Sequence, residues 1–212
     1  MAKFPKIEEL KQFEVVFWDL DNTIYPYDPA HKVAWEITLK LFAKKFNLDI
    51  ETSRANYAVA RNEINNRLHG QAASHSRLLY FKEMIQNIGK VEQISSALMF
   101  EKTYWNSFLK QMQINKNALK IIEVLYANGI PQVIITDLTT QIQLKKLKQL
   151  KIAKYFKWML TSEEAGIEKP NPKIFEMALV KMNVKSEKCC FIGDNIKTDG
   201  GAARVGIKTY II

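Results

Sequence analysis

Short apolar runs at 15–18, 132–136, 157–161, 189–193 and 207–211 punctuate an otherwise mixed chain. They are rich in β-branched and aromatic residues, lack strict polar alternation and end in turn-forming residues. That pattern predicts buried strands of a parallel sheet covered on both faces. Between the last four runs lie amphipathic segments of helical length at 139–150, 172–182 and 198–205. Strands alternating with helices predict a doubly wound α/β fold with a parallel five-stranded sheet.

The gap between the first two runs exceeds 110 residues and carries no strand pattern. Its periodicity predicts helices at about 29–46, 50–69, 73–88 and 91–112, then one at about 117–128 that leads into the second strand. Gly70 and Gly89 suit helix ends, and Asn128-Gly129 closes the last helix before Pro131. The expected organisation is an α/β core domain over 1–27 and 111–212, interrupted at 28–110 by an all-helical insertion. An insertion after the first strand is expected above that strand's C-terminal end.

Of 212 residues, 47% are hydrophobic and 25% charged, as in a globular protein with a sizeable core. The net charge is +9, of which the insertion contributes +4 and the rest +5, so the positive field is diffuse and favours a small anionic substrate. The densest basic stretch holds six lysines between Lys145 and Lys157. Ile142, Leu147 and Leu150 supply an apolar helix face there, and most of the lysines read as its wet side. No aromatic-interleaved basic motif accompanies them, so nucleic acid is not an expected partner. The start MAKFPKIEELKQFE lacks the apolar run of a signal peptide, and no stretch approaches the ~18 apolar residues of a membrane span. A cytoplasmic protein without a membrane partner is expected. Adjacent cysteines 189 and 190 would bridge only with strain, so they read as small buried residues. Trp18, Trp35, Trp105 and Trp158 read as core.

Ligands of open α/β sheets bind beyond the carboxyl ends of the strands. Beyond the first strand stand Asp19 and Asp21, beyond the second Thr136, beyond the third Lys169 in EKPNP, and beyond the fourth Asp194 and Asp199 in GDNIKTD. In an extended segment, residues i and i+2 point the same way, so DLD is expected to face two carboxylates into one space. At about 4 Å they repel by about 4 kcal/mol at an effective dielectric near 20, and Asp194 adds a third charge. A hard divalent ion resolves this, and an all-oxygen set favours Mg2+ with retained waters. Ion, ammonium and hydroxyl around one point make a receptor for a phosphoryl group. Asp19 is then placed to attack phosphorus, and Asp21 to protonate the leaving oxygen.

With DLDNT at 19–23, a strand ending in Thr136, Lys169 before Pro170, and GDNIKTD at 193–199, the chain resembles the haloacid dehalogenase superfamily. The resemblance is to the phosphatase-type branch with a helical (C1-type) cap, and it covers essentially the whole chain. It implies Asp19 as nucleophile, Asp21 as general acid/base, and Thr136 and Lys169 as holders of the phosphoryl group. Mg2+ would bind Asp19, the backbone carbonyl of Asp21 and Asp194, with Asp199 in support. Asp137 stands where many relatives carry Asn and adds an acid beside the phosphate-binding residues. True dehalogenases lack the second acid of the pair, so Asp21 argues for phosphate chemistry. Tyr25 is the leading substrate-reading residue toward the cap, ahead of Tyr27, His31, Arg54, Arg61, Arg67, His69, His75 and Arg77. The expected activity is Mg2+-dependent hydrolysis of a small phosphorylated metabolite: a sugar phosphate, phosphoglycolate or a nucleoside monophosphate. The alternatives are a phosphomutase resembling β-phosphoglucomutase, and a regulatory or nucleic-acid-binding relative without turnover.

Overall fold

A computed structural model describes residues 4–212. After a single-turn helix α1 (Ile7–Leu10), strand β1 (Val15–Trp18) enters the middle of a five-stranded sheet. The other strands are β2 (Gln132–Thr136), β3 (Trp158–Thr161), β4 (Cys189–Gly193) and β5 (Lys208–Ile211). All pairs are parallel and the order is β3-β2-β1-β4-β5. β1, β2 and β4 are buried at every position, which is why their sequences are apolar without alternation. Cys189 and Cys190 are free and buried in β4. Trp18 and Trp105 are buried, whereas Trp35 and Trp158 are only partly so.

The chain divides into two compact units. One comprises the segments up to Tyr27 and from Gln113 to Ile212, the other Asp28–Met112. The helical unit contains α2 (Tyr27–Phe46, which starts at its border), α3 (Ile50–Arg67), α4 (Arg77–Asn87) and α5 (Ala97–Gln111). Asp49 caps α3 by accepting from the Thr52 amide at 2.7 Å. Its core is aromatic: Phe81 meets Tyr57, Phe100 and Tyr104 at centroid distances of 6.1, 5.8 and 6.4 Å. Two expected helices are broken at their starts. A 3-10 turn, Ala72–His75, precedes α4 because Ser76 is extended and its side chain caps the Leu79 amide. Another, Val91–Ser96, precedes α5.

The α/β unit adds α6 (Lys116–Ala127), α7 (Thr140–Leu150), α8 (Ser162–Ala165) and α9 (Pro172–Met182). The segment expected as a last helix is instead a 3-10 turn, Asp199–Val205. Its Gly200-Gly201 pair disfavours an α-helix by about 1 kcal/mol per glycine. Gly201 also admits close packing, since a Cβ there would lie 2.5 Å from the Pro170 carbonyl oxygen. The core below the sheet joins Val15, Phe17, Val133 and Ile135 to Ile174, Phe175 and Phe191. Among the described residues, no helix is long and apolar enough to cross a membrane.

Candidate active site

β1 lies between β2 and β4, so its carboxyl end opens where the chain leaves the sheet in opposite directions. Trp18 pairs with Ile192, and the next amide, Asp19 N, donates to the Ile192 carbonyl at 2.9 Å. This register sets Asp19 beside Gly193. A Cβ at Gly193 would stand 2.2 Å from Asp199 Oδ2, so only glycine leaves room for that carboxylate.

Lys169 reaches this point from the loop after α8. Its ammonium donates to Asp19 Oδ1 at 2.7 Å and Asp199 Oδ1 at 2.6 Å, and the residue is 6% exposed. Burial opposes the lysine's charge, but Asp19, Asp199 and Asp137 hold it protonated well above its usual range. Asp137 also fixes the loop, since its Oδ1 accepts from the Lys169 amide at 3.0 Å. Thr23 donates to Asp19 Oδ2 at 2.9 Å, and the Asn195 amide to Asp199 Oδ2 at 3.1 Å. Thr136 ends β2 on the same rim, but its hydroxyl accepts from Gln143 at 2.7 Å rather than meeting the acids.

Asp19, Asp194 and Asp199 bring one carboxylate oxygen each within 4.8 Å of one another. Burial, opposed by Lys169 and reinforced by Asp199 and Asp21, pushes the Asp19 carboxyl up to about 8. Burial and Asp199 likewise raise Asp194. Both shifts favour the neutral carboxyls: fully ionised, the three acids would carry more negative charge than Lys169 offsets.

Asp21 departs from the alternation argument. The strand ends at Trp18 and Asn22 turns with φ 61°, so the pleat does not continue through DLD. Asp21 is not part of the three-carboxylate group. It accepts from Tyr25 Oη at 2.6 Å and from Lys146 Nζ at 2.8 and 2.7 Å, one contact to each oxygen. Tyr25, expected at the substrate, is wholly buried in the α/β unit with its hydroxyl on Asp21. Lys146, one of six lysines of which most are expected on the wet side of the helix, is also wholly buried. Of the remaining candidates, His31 pairs with Tyr104, Arg54 with Glu36, Arg67 with Glu83, and Arg77 is buried against Tyr80, Tyr104 and Trp105.

Sequence reasoning missed Lys146, Gln143 and Thr23. For Lys146 a signal was present. At about 100° per residue it falls midway between Ile142 and Leu150, about 40° from each, inside the apolar arc of α7.

The three acids Asp19, Asp194 and Asp199 set against the one Lys169 ammonium leave a formal excess of two negative charges among these four residues. An all-oxygen cluster with that excess fits a hard divalent cation, and Asp19, Asp194 and Asp199 are residues that could hold one.

The profile for haloacid dehalogenase-like hydrolases matches residues 13–206. A ribulose-1,5-bisphosphate 5-phosphatase of Halopiger xanaduensis is 34% identical over 198 residues, 92% of this chain and 83% of its own. A glyceraldehyde 3-phosphate phosphatase of Methanopyrus kandleri is 26% identical over 200 residues, 94% of this chain and 83% of its own. In fold, a crystal structure of 2-haloacid dehalogenase from Pseudomonas syringae superposes with a TM-score of 0.73. It is 22% identical, with 93% of this chain and 85% of that one covered.

Proposed function

The chain belongs to the haloacid dehalogenase-like hydrolases, and we propose that within them it hydrolyses the phosphate monoester of a small sugar. The observation that carries this reading is the Lys169 ammonium held between Asp19 and Asp199, within a group of acids that exceeds its charge. Such a site attracts a dication and, with it, a phosphoryl group. The sugar phosphates named for the two relatives supply the substrate class.

In this reading Asp19 attacks phosphorus. An Asp19 oxygen–phosphorus bond forms as the ester bond breaks, and its electron pair leaves on the sugar oxygen. Asp21 gives that oxygen its proton, so the sugar departs neutral. Water then attacks the aspartyl phosphate, Asp21 takes its proton, and inorganic phosphate leaves. Lys169 and Thr136 neutralise and orient the phosphoryl oxygens, while Asp137 keeps the Lys169 loop in place. Bound Mg2+, the proposed cofactor, would supply charge neutralisation on the transferring group. The insertion 28–110 is the proposed cap domain of a core formed by 1–27 and 111–212.

The test is a screen of three- to five-carbon sugar phosphates, phosphoglycolate and nucleoside monophosphates with Mg2+, reading released phosphate. Asp19→Asn should lower turnover by about a thousandfold or more, as loss of a nucleophile does. Turnover that survives Asp19→Asn, or conversion to an isomer without phosphate release, would reject the proposal.

A further inference from the structure

Stability alone does not recommend a lysine at the position of Lys146. Burying an ammonium, even against the partly exposed Asp21 carboxylate, is at best close to break-even against an apolar side chain. Yet Lys146 is 0% exposed and places its ammonium within 2.8 and 2.7 Å of the two Asp21 oxygens. The rings of Tyr25 and Tyr27 flank the same ammonium, with centroids at 5.8 and 5.5 Å. Tyr25, itself 0% exposed, adds a third hydrogen bond of 2.6 Å to Asp21 Oδ1. The two acids of DLD thus have separate lysines: Lys169 for Asp19, from the loop after β3, and Lys146 for Asp21, from α7.

Resting on the hydrolase reading above, we infer that Lys146, aided by Tyr25, is a positioning residue that sets the orientation of Asp21 for proton delivery to the leaving oxygen. Asp21 lies beyond β1 beside a left-handed turn at Asn22, and its backbone makes an isolated bridge to Tyr25 outside the sheet, which leaves the side-chain torsions to be set by contacts. Two contacts from one buried ammonium and one from a buried phenol restrict both torsions of the side chain. The ammonium is in turn fixed by α7, which the Thr140 amide anchors to Glu163 at 2.7 Å. The role is orientation: Lys146 acts through Asp21, whose oxygens it contacts, and carries none of the transferred protons. The contacts to both oxygens describe Asp21 as a carboxylate, its state after proton delivery. In the acid form Oδ2 carries the proton and Oδ1 keeps the Lys146 and Tyr25 contacts; that proton moves to the bridging oxygen as the phosphorus–oxygen bond breaks, and Lys146 keeps its own protons throughout.

Leaving groups separate this role from a merely structural one. A sugar phosphate releases an alcohol that needs the Asp21 proton, whereas 4-nitrophenyl phosphate releases a phenolate that is stable without one. Values of kcat/KM report the steps up to that departure. Lys146→Met should lower kcat/KM for the sugar phosphate at least about tenfold more than for the nitrophenyl ester, within the ~10²–10⁴-fold that general acid catalysis supplies. Tyr25→Phe removes one hydroxyl only, and should show the same selective loss at smaller size even if Lys146→Met folds poorly. An equal fall for both esters in Tyr25→Phe, and in Lys146→Met where it folds, would overturn the inference and leave the hydrolase reading standing. Absence of Asp19-dependent turnover of either ester in the unsubstituted protein would remove both.

Discussion

At the scale of single residues, the site depends as much on what is missing as on what is charged. Gly193 carries no side chain, and Asp199 fills the volume a Cβ would take. Gly193→Ala should therefore push the Asp199 carboxylate off Lys169. The expected cost is about 1–3 kcal/mol of stability from overpacking, read in urea unfolding. A weaker Mg2+ dependence of turnover should accompany it. Unchanged stability and Mg2+ response would mean that the loop from Asp194 to Asp199 yields more freely than the contact allows. The charged half of this arrangement was legible in the sequence, because carboxylates and a lysine that follow strand ends are conspicuous. The glycine was not. Its role is set by a register between β1 and β4 that pairs residues more than 170 positions apart. Lys146 was hidden differently: composition makes it one of many lysines, and only its helical phase marks it as facing inward.

At the scale of elements, the strands were the most readable feature. Three of the five have the expected limits, and β3 and β5 each begin one residue later than expected. Their apolar character reflects burial on both faces, so local composition and tertiary environment agree. The helices were less readable where a side chain competes with the backbone, as at Ser76, or where glycines weaken the α-helix, as at Gly200-Gly201. Between elements, a titratable contact links α2 to α5: His31 Nδ1 lies 2.7 Å from Tyr104 Oη. Burial, with Arg77 and Arg61 nearby, lowers the His31 pKa from 6.5 to about 4. The unfolded chain takes up this proton below about pH 6.5, whereas the folded unit resists it until about pH 4. The associated stability is thus complete above pH 6.5, falls as pH drops through that window, and levels off below it. Denaturant unfolding at a series of pH values should show this decline, and His31→Gln should remove its share of the slope. An identical pH dependence in the variant would assign the decline to other groups.

At the scale of the whole molecule, the sign of the charge changes between the surface average and the site. The chain carries +9 in total, yet at the end of β1 the acids Asp19, Asp194 and Asp199 exceed Lys169 by a formal two negative charges. A composition count could only report the first, because the second arises when β1, β4 and the Asp199 turn converge. The general field favours an incoming anion, while the local one would repel it unless a cation intervenes. This opposition makes the response to Mg2+ different in kind from the response to salt. A cation that binds the folded acid cluster alone stabilises it by RT ln(1 + [L]/Kd), about 2.7 kcal/mol at a hundredfold excess over Kd. Thermal unfolding should therefore shift upward with Mg2+ beyond the shift given by NaCl at matched ionic strength, where screening acts alone. Asp194→Asn removes one of the three acids that approach within 4.8 Å, and should abolish most of the difference between the two salts. If MgCl2 and NaCl shift the transition equally in the unsubstituted protein, the convergence of acids has no specific claim on a dication. The excess negative charge would then have to be relieved by protonation, a fate already open to Asp19 with its carboxyl pushed up to about 8.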